Sequence, residues 1–208
     1  LKINSTFMVV SKINSGKSVL VQHILKNLCE NNDVNNIILF SETALYENEW
    51  NFINKNYIID GINEDKIDKI IKLKQKNTKN NKNIKLIMVF DDVPVNDKSK
   101  KLIKLFCQSR HFNVTVIVSV QYSAGLTTSS IRNNINYLFI SDVSDRCLEH
   151  LYNFMCVDYK FKEFSKFVSD NTDNYQFIFY DNTKKTRCDR LKIVKADIFV
   201  KMKIDFKK

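Results

Sequence analysis

The residues Ser11-Lys12-Ile13-Asn14-Ser15-Gly16-Lys17-Ser18 join a short buried-type strand, Thr6–Val10, to a stretch with a helical apolar period at Leu20, Val21, Ile24, Leu25 and Leu28. This octet matches the phosphate-binding pattern GxxxxGK[ST], with Ser11 in place of the first glycine. A tight turn between strand and helix aims backbone N–H groups at phosphate oxygens, and the helix N-terminus adds positive potential. Ser11, Asn14, Ser15 and Gly16 would form the turn, Lys17 would neutralise the β- and γ-phosphates, and Ser18 would ligate Mg²⁺. A side chain at position 11 must fit where glycine usually permits any φ, so Ser11 is the weak point of the pattern.

A second group follows at Leu86-Ile87-Met88-Val89-Phe90-Asp91-Asp92, an apolar run ending in two acids, the Walker B pattern. In an open parallel sheet these carboxylates emerge at the strand C-termini, where such sheets bind ligands. Asp91 is expected to hold Mg²⁺ and Asp92 to polarise an attacking water as general base. Gln121 follows the apolar run Val114–Val120 and is expected beside the γ-phosphate, as a sensor that orients the lytic water. Arginine is scarce, at positions 110, 132, 146, 187 and 190. Its planar, permanently charged fork suits a phosphoryl-transfer transition state, and Arg110 and Arg132 are the candidates for that role, with Arg110 near the edge of the nucleotide face.

The chain that must position these groups has 208 residues, 44% of them hydrophobic and 27% charged, which suits a single domain with a sizeable core. No apolar run reaches the roughly 18 residues of a membrane span. The opening LKINSTFMVVSK lacks the features of a secretory signal. The five cysteines are widely spaced and form no CxxC pair, which argues against a disulfide framework or a structural zinc site. A net charge of +10 points to a polyanionic partner, nucleic acid first. The 28 lysines, against 5 arginines, and the 25 asparagines also fit an AT-rich coding bias, so charge by itself is a divided signal. Lys79, Lys82, Lys98, Lys100, Lys101 and Lys104 are candidates for a DNA-facing surface, with solvated surface as the competing reading.

Strands are expected at Thr6–Val10, 36–41, 84–90, Val114–Val120 and Tyr137–Ile140, and helices at about 16–29, 65–75, 99–109 and 145–155. The polar stretch 77–83 reads as a surface loop, and 176–180 with 191–194 as a terminal hairpin. Alternating strands and helices predict an α/β domain of three layers with a mostly parallel central sheet. Trp50, Tyr46 and Phe52 read as packing after the second strand rather than as a nucleobase contact.

The run VFDDVPVNDKSKKLIKLFCQSRHFNVTVIVSVQY resembles the core of the DNA-packaging ATPases of poxviruses and related large DNA viruses, of the FtsK–HerA superfamily. The similar features are the FDDV Walker B run, Arg110-His111, Gln121-Tyr122, Ile131-Arg132-Asn133, ILFSETALYENEW and FISDVSDRCLEHLYNFM, from about Thr6 to about Met155. Ser11 and Ser109 stand where glycine is usual. The resemblance implies a P-loop fold of the RecA-like type and a ring-shaped homo-oligomer. It further implies an ATP- and Mg²⁺-dependent motor that drives double-stranded DNA into a capsid through its portal or equivalent vertex, in the host cytoplasm or the virion. The alternatives are a non-hydrolysing NTP-binding scaffold for DNA or capsid, favoured by Ser11, and a nucleotide kinase, disfavoured by the paucity of arginine. A GTPase is disfavoured by the lack of DxxG and NKxD motifs.

Overall fold

The computed structural model describes residues 1–34, 36–79, 84–92, 100–121, 131, 133–155 and 157–196. Eight strands form one sheet in the order β3-β2-β4-β5-β1-β6-β7-β8. They are β1 Thr6–Val10, β2 Asn36–Phe40, β3 Ile58–Ile59, β4 Leu86–Asp91, β5 Val114–Val120, β6 Tyr137–Ile140, β7 Gln176–Asp181 and β8 Leu191–Lys195. All neighbours from β3 to β6 are parallel; β7 and β8 close the far edge as antiparallel strands. The helices are α1 Lys17–Asn32, α2 Glu64–Lys79, α3 Lys100–Gln108, α4 Asp145–Phe154 and α5 Phe161–Asp170.

The strand alternation sorts the core into two layers. On one face Phe7 and Val9 of β1, Ile87 and Val89 of β4 and Ile117 of β5 pack against Leu20, Val21, Ile24 and Leu25 of α1 and against Trp50. On the other, Met8, Val10, Met88, Phe90, Val116 and Val118 pack against Ile67 and Ile71 of α2, Leu102 and Phe106 of α3, Leu148 of α4 and Phe164 of α5. Every residue of β1, β4 and β5 is buried, as expected of parallel strands covered on both sides.

The predicted α/β architecture and hairpin are therefore present. Three local readings change. The helix expected at 65–75 runs to Lys79, so residues 77–79 of the expected loop are helical, and 80–83 lie outside the described residues. The chain also contains β3 and α5, which were not anticipated. The helix expected at 99–109 ends at Gln108 and tightens into a 3₁₀ turn, Ser109–Phe112, closed by Asn113 at φ 52°.

Candidate active site

Four adjacent strands, β4-β5-β1-β6, end side by side, and the central candidates lie at their ends or just beyond them. The register aligns Val10 with both Val120 and Ile140, and Asp91 with Ser119. The ladder carries on past the strands. Ser11 N–H donates to the Val120 carbonyl (3.2 Å), Lys12 N–H to that of Asp142 (3.1 Å), and Asp92 N–H to that of Ser119 (3.2 Å). The loop after β1 is thereby tied to its neighbours on both sides.

Within the turn, Asn14 (φ 61°) and Gly16 (φ 86°) take left-handed backbone, and Ser11 does not. The objection to Ser11 falls: its side chain is fully buried and bonded to the Ser15 hydroxyl, so it braces the turn without straining it. Ser15 Oγ donates to the Lys12 carbonyl at 2.7 Å. Helix α1 begins with no side-chain cap, which leaves its first N–H groups directed at the loop mouth. Lys17 is only 5% exposed; its ammonium donates to the Lys12 carbonyl at 2.8 Å and lies 3.9 Å from Asp92 Oδ1.

The two acids of β4 occupy different environments. Asp91 is buried; Ser119 Oγ donates to its Oδ1 (2.6 Å) and Trp50 Nε1 to its Oδ2 (3.1 Å). Burial pushes its carboxyl up to about 6. The Ser119 bond opposes this, the Asp92 charge adds to it, the Trp50 bond opposes it, and the Glu47 charge adds a little more. Asp92 turns out of the strand at φ 48° and accepts from Gln121 Nε2 at 3.3 Å. A cleft of about 190 Å³ brings Asn14, Lys17, Ser18, Glu47, Asp91 and Asp92 together.

Lys17, Ser18, Asp91 and Asp92 thus line one cleft, and Gln121 stands beside it through its bond to Asp92. Arg110 does not border its own cleft. Its 3₁₀ turn precedes β5 and stands at the opposite end of the sheet, where the parallel strands begin. The length of β5 separates the two ends by roughly 20 Å. Arg110 is exposed, and among the described residues no carboxylate pairs with it. Arg187 is paired with Asp158 at 2.8 Å, and Arg190 donates to Tyr180 Oη at 3.0 Å, so both serve the fold. Arg132 and Tyr122 lie outside the described residues, as do Lys82 and Lys98. Lys101 is paired with Asp65 (2.8 Å), an exposed link between α3 and α2. Cysteines 29, 107, 147 and 188 are free thiols.

Two contributors escaped the sequence reading. Trp50 packs as expected, yet its indole also reaches Asp91; the single tryptophan just after a strand was the available signal. Ser119 was visible as a polar residue inside VTVIVSV, and the register turns it onto Asp91.

Among the described residues no three His, Cys, Asp or Glu side chains could hold a metal by themselves. The donors present are a hydroxyl and two carboxylates, Ser18, Asp91 and Asp92. Such a hard-oxygen set fits Mg²⁺, which keeps waters and takes much of its coordination from substrate phosphates.

Fold and cleft together define a P-loop NTPase domain of the kind with a strand, β5, inserted between the phosphate-loop strand and the acid-bearing strand. The chain belongs to the family described as the poxvirus A32 protein, whose model matches residues 2–203. No curated protein sequence matches it. In structure it is similar to the genome packaging NTPase B204 of Sulfolobus turreted icosahedral virus 2 in complex with AMP, at 16% identity, with a TM-score of 0.71 over 95% of this chain and 100% of that one. It is also similar to the DNA-packaging ATPase B204 of Sulfolobus turreted icosahedral virus (14% identity, TM-score 0.67, 95% and 100% covered). A third likeness is to the cytoplasmic domain of the type VII secretion ATPase EccC of Thermomonospora curvata (12%, TM-score 0.63, 92% and 25% covered). At these identities the likenesses establish a shared fold. Among the described residues no helix is long and apolar enough to cross a membrane.

Proposed function

We propose that the protein is an ATP-hydrolysing motor that translocates double-stranded DNA into a viral capsid. It would work as a homo-oligomeric ring at the capsid's portal or equivalent vertex, in the host cytoplasm or the virion. The observation that carries the reading is the convergence of Lys17, Ser18, Asp91 and Asp92 on one cleft at the strand C-termini, with Gln121 bonded to Asp92. Membership of the A32 family, and the packaging NTPases that share the fold, support the DNA-packaging role.

The residues divide the work as follows. The turn N–H groups and the start of α1 receive the β- and γ-phosphates, and the Lys17 ammonium exchanges the Lys12 carbonyl for a phosphate oxygen. Ser18 and Asp91 would hold Mg²⁺, which when bound offsets charge on the phosphate oxygens. Asp92 accepts the proton of the attacking water, and Gln121, bonded to Asp92, orients that water. Hydrolysis then breaks the bond between the γ-phosphorus and the β,γ-bridging oxygen as the water oxygen bonds to that phosphorus. Arg110 stands at the opposite end of the sheet from its own cleft, so as a finger it would serve the next subunit in a ring.

Lys17→Ala should weaken ATP binding and abolish hydrolysis, and Asp92→Asn should bind ATP normally but not turn it over. Wild-type turnover by either variant overturns this assignment.

A further inference from the structure

β7 runs antiparallel to β6, with Asp181 opposite Tyr137, and β8 returns beside it as the open edge of the sheet. The connection between them therefore lies at the end where the parallel strands begin, opposite the nucleotide cleft. It is strongly basic. Lys184, Lys185, Arg187, Arg190, Lys192 and Lys195 fall between Thr183 and Ala196, with Asp189 as the one acid among them. At its other end β7 follows Tyr175, whose ring packs on the phosphate loop: a β-carbon at Gly16 would come within 3.0 Å of Tyr175 Cδ1. One strand thus joins the phosphate loop to the basic connection, over roughly 20 Å.

The arginines and the lysines of the connection serve different ends. Arg190 donates through Nε to the Lys184 carbonyl (2.9 Å) and through Nη1 to Tyr180 Oη (3.0 Å), and Arg187 pairs with Asp158 (2.8 Å). Asp181 N–H donates to the Arg190 carbonyl (2.8 Å), Asn182 N–H to that of Asn136 (2.9 Å), and Thr183 N–H to Asp181 Oδ1 (2.9 Å). The connection is therefore braced, and its arginines are spent on the bracing. Lys184, Lys185, Lys192 and Lys195 are exposed, and among the described residues no carboxylate pairs with any of them. Lys192 and Lys195 also guard the open edge of β8 against strand pairing, a common use of edge lysines. Lys184 and Lys185, in the connection, have no edge to guard. The Arg187–Asp158 pair brings the start of α5 alongside, where Lys160 and Lys162 are exposed and Glu163 is turned back onto the Lys160 N–H (3.1 Å).

We propose that the β7–β8 connection is a contact surface for the phosphate backbone of duplex DNA, with Lys184, Lys185 and Lys192 as its principal charges and Lys160 and Lys162 beside them. A lysine ammonium is a compact point charge on a flexible stem, suited to phosphates in any sequence context. The planar forks that read base edges are the arginines, and here they are engaged within the fold. A two-stranded ribbon is also narrow enough to follow a groove of the duplex. This assignment rests on the reading of duplex DNA as the motor's partner and adds where the chain touches it.

The test measures binding of two duplexes of unrelated sequence by fluorescence anisotropy over a salt series. The full chain is compared with the triple variant Lys184→Gln, Lys185→Gln, Lys192→Gln, with the same three positions changed to Arg, and with a control triple, Lys26→Gln, Lys55→Gln, Lys66→Gln, that removes equal charge elsewhere. The hairpin Gln triple should lose about tenfold or more in affinity for both duplexes at low salt, and its salt slope should fall by about two to three. Its DNA-free ATP turnover and melting temperature should match wild type. The Arg triple should bind as wild type, and the control triple should stay within about twofold of it. Wild-type affinity and slope in the hairpin Gln triple, or equal losses in the hairpin and control triples, would overturn the surface and leave the motor reading standing. So would a hairpin Gln triple that keeps DNA but loses binding to polyglutamate, which would make the surface a seat for an acidic protein. A wild type that binds no DNA at low salt would overturn both.

Discussion

The indole Nε1 of Trp50 donates to Asp91 Oδ2 at 3.1 Å, and both side chains are buried. The segment after β2 is thereby bolted to the acid at the end of β4. Ser119 takes the other carboxylate oxygen, so the orientation of Asp91 is set from two elements before any cation arrives. The same anchoring carries Glu47 and Glu49 to the rim of the cleft, where Gln22 of α1 donates to the Glu49 carbonyl at 2.9 Å.

Trp50→Phe should keep most of the packing volume while removing the donor. A hydrogen bond to a charged group contributes about 1.5–3 kcal/mol. The Mg²⁺ concentration that half-saturates ATP turnover should therefore rise about tenfold, and loss of the buried donor should lower fold stability by a similar amount. Trp50→Ala should in addition destabilise the fold by about 3–5 kcal/mol, measured by denaturant unfolding. An unchanged Mg²⁺ requirement in Trp50→Phe would show that the bond does not position Asp91.

Asp91 also makes the metal-free protein pH-sensitive. Its folded carboxyl titrates at about 6, above the ordinary 3.8. Between those values the folded state holds a proton that the unfolded state has released, so this contribution to stability is lost as pH rises through the window. The shift corresponds to about 3 kcal/mol at neutral pH. Asp91→Asn should then raise the melting temperature of the metal-free protein at pH 7.5, with the amide oxygen facing Trp50 and the amide N–H donating to Ser119. The gain should shrink toward pH 4, and Mg²⁺-dependent turnover should be lost. A variant less stable than wild type at pH 7.5 would contradict this.

Much of this arrangement was legible in the sequence because it depends on local order. Strand, turn and helix around Gly16-Lys17-Ser18, and the apolar run into Asp91-Asp92, are contiguous signals, and the parallel sheet follows from their alternation. What was not legible depends on register and on contacts across the chain. Trp50 meets Asp91 only once β2 and β4 are neighbours, and Tyr175 meets Gly16 only because the turn before β7 comes back to the loop after β1. Strand β3 has two residues, too few for an alternation to register. Arg110 was placed near the nucleotide face because it precedes the Gln121 strand in sequence. The parallel register puts that strand's start at the other end of the sheet.

That position gives Arg110 a test of its own. Arg110→Ala should assemble and bind ATP but hydrolyse it poorly. A finger contributes on the order of 10³–10⁵ in rate where it is fully engaged. Lys17→Ala should be inactive as well. Mixed rings of the two variants contain intact phosphate loops facing intact arginines, so part of the activity should return on mixing. If mixed rings form and remain inactive, Arg110 acts within its own subunit or serves the fold, and Arg132 becomes the candidate.

The central claim, ATP hydrolysis coupled to movement along DNA, is tested most directly by the ATP turnover rate as a function of double-stranded DNA, with native mass measured in parallel. A motor that grips backbone phosphates should be stimulated by DNA of any sequence, and the stimulation should fall steeply with salt. The expected result is a ring-sized assembly whose turnover rises with added DNA and vanishes in Asp92→Asn. An assembled protein whose turnover is indifferent to DNA at low salt, or responds to one sequence only, would contradict it.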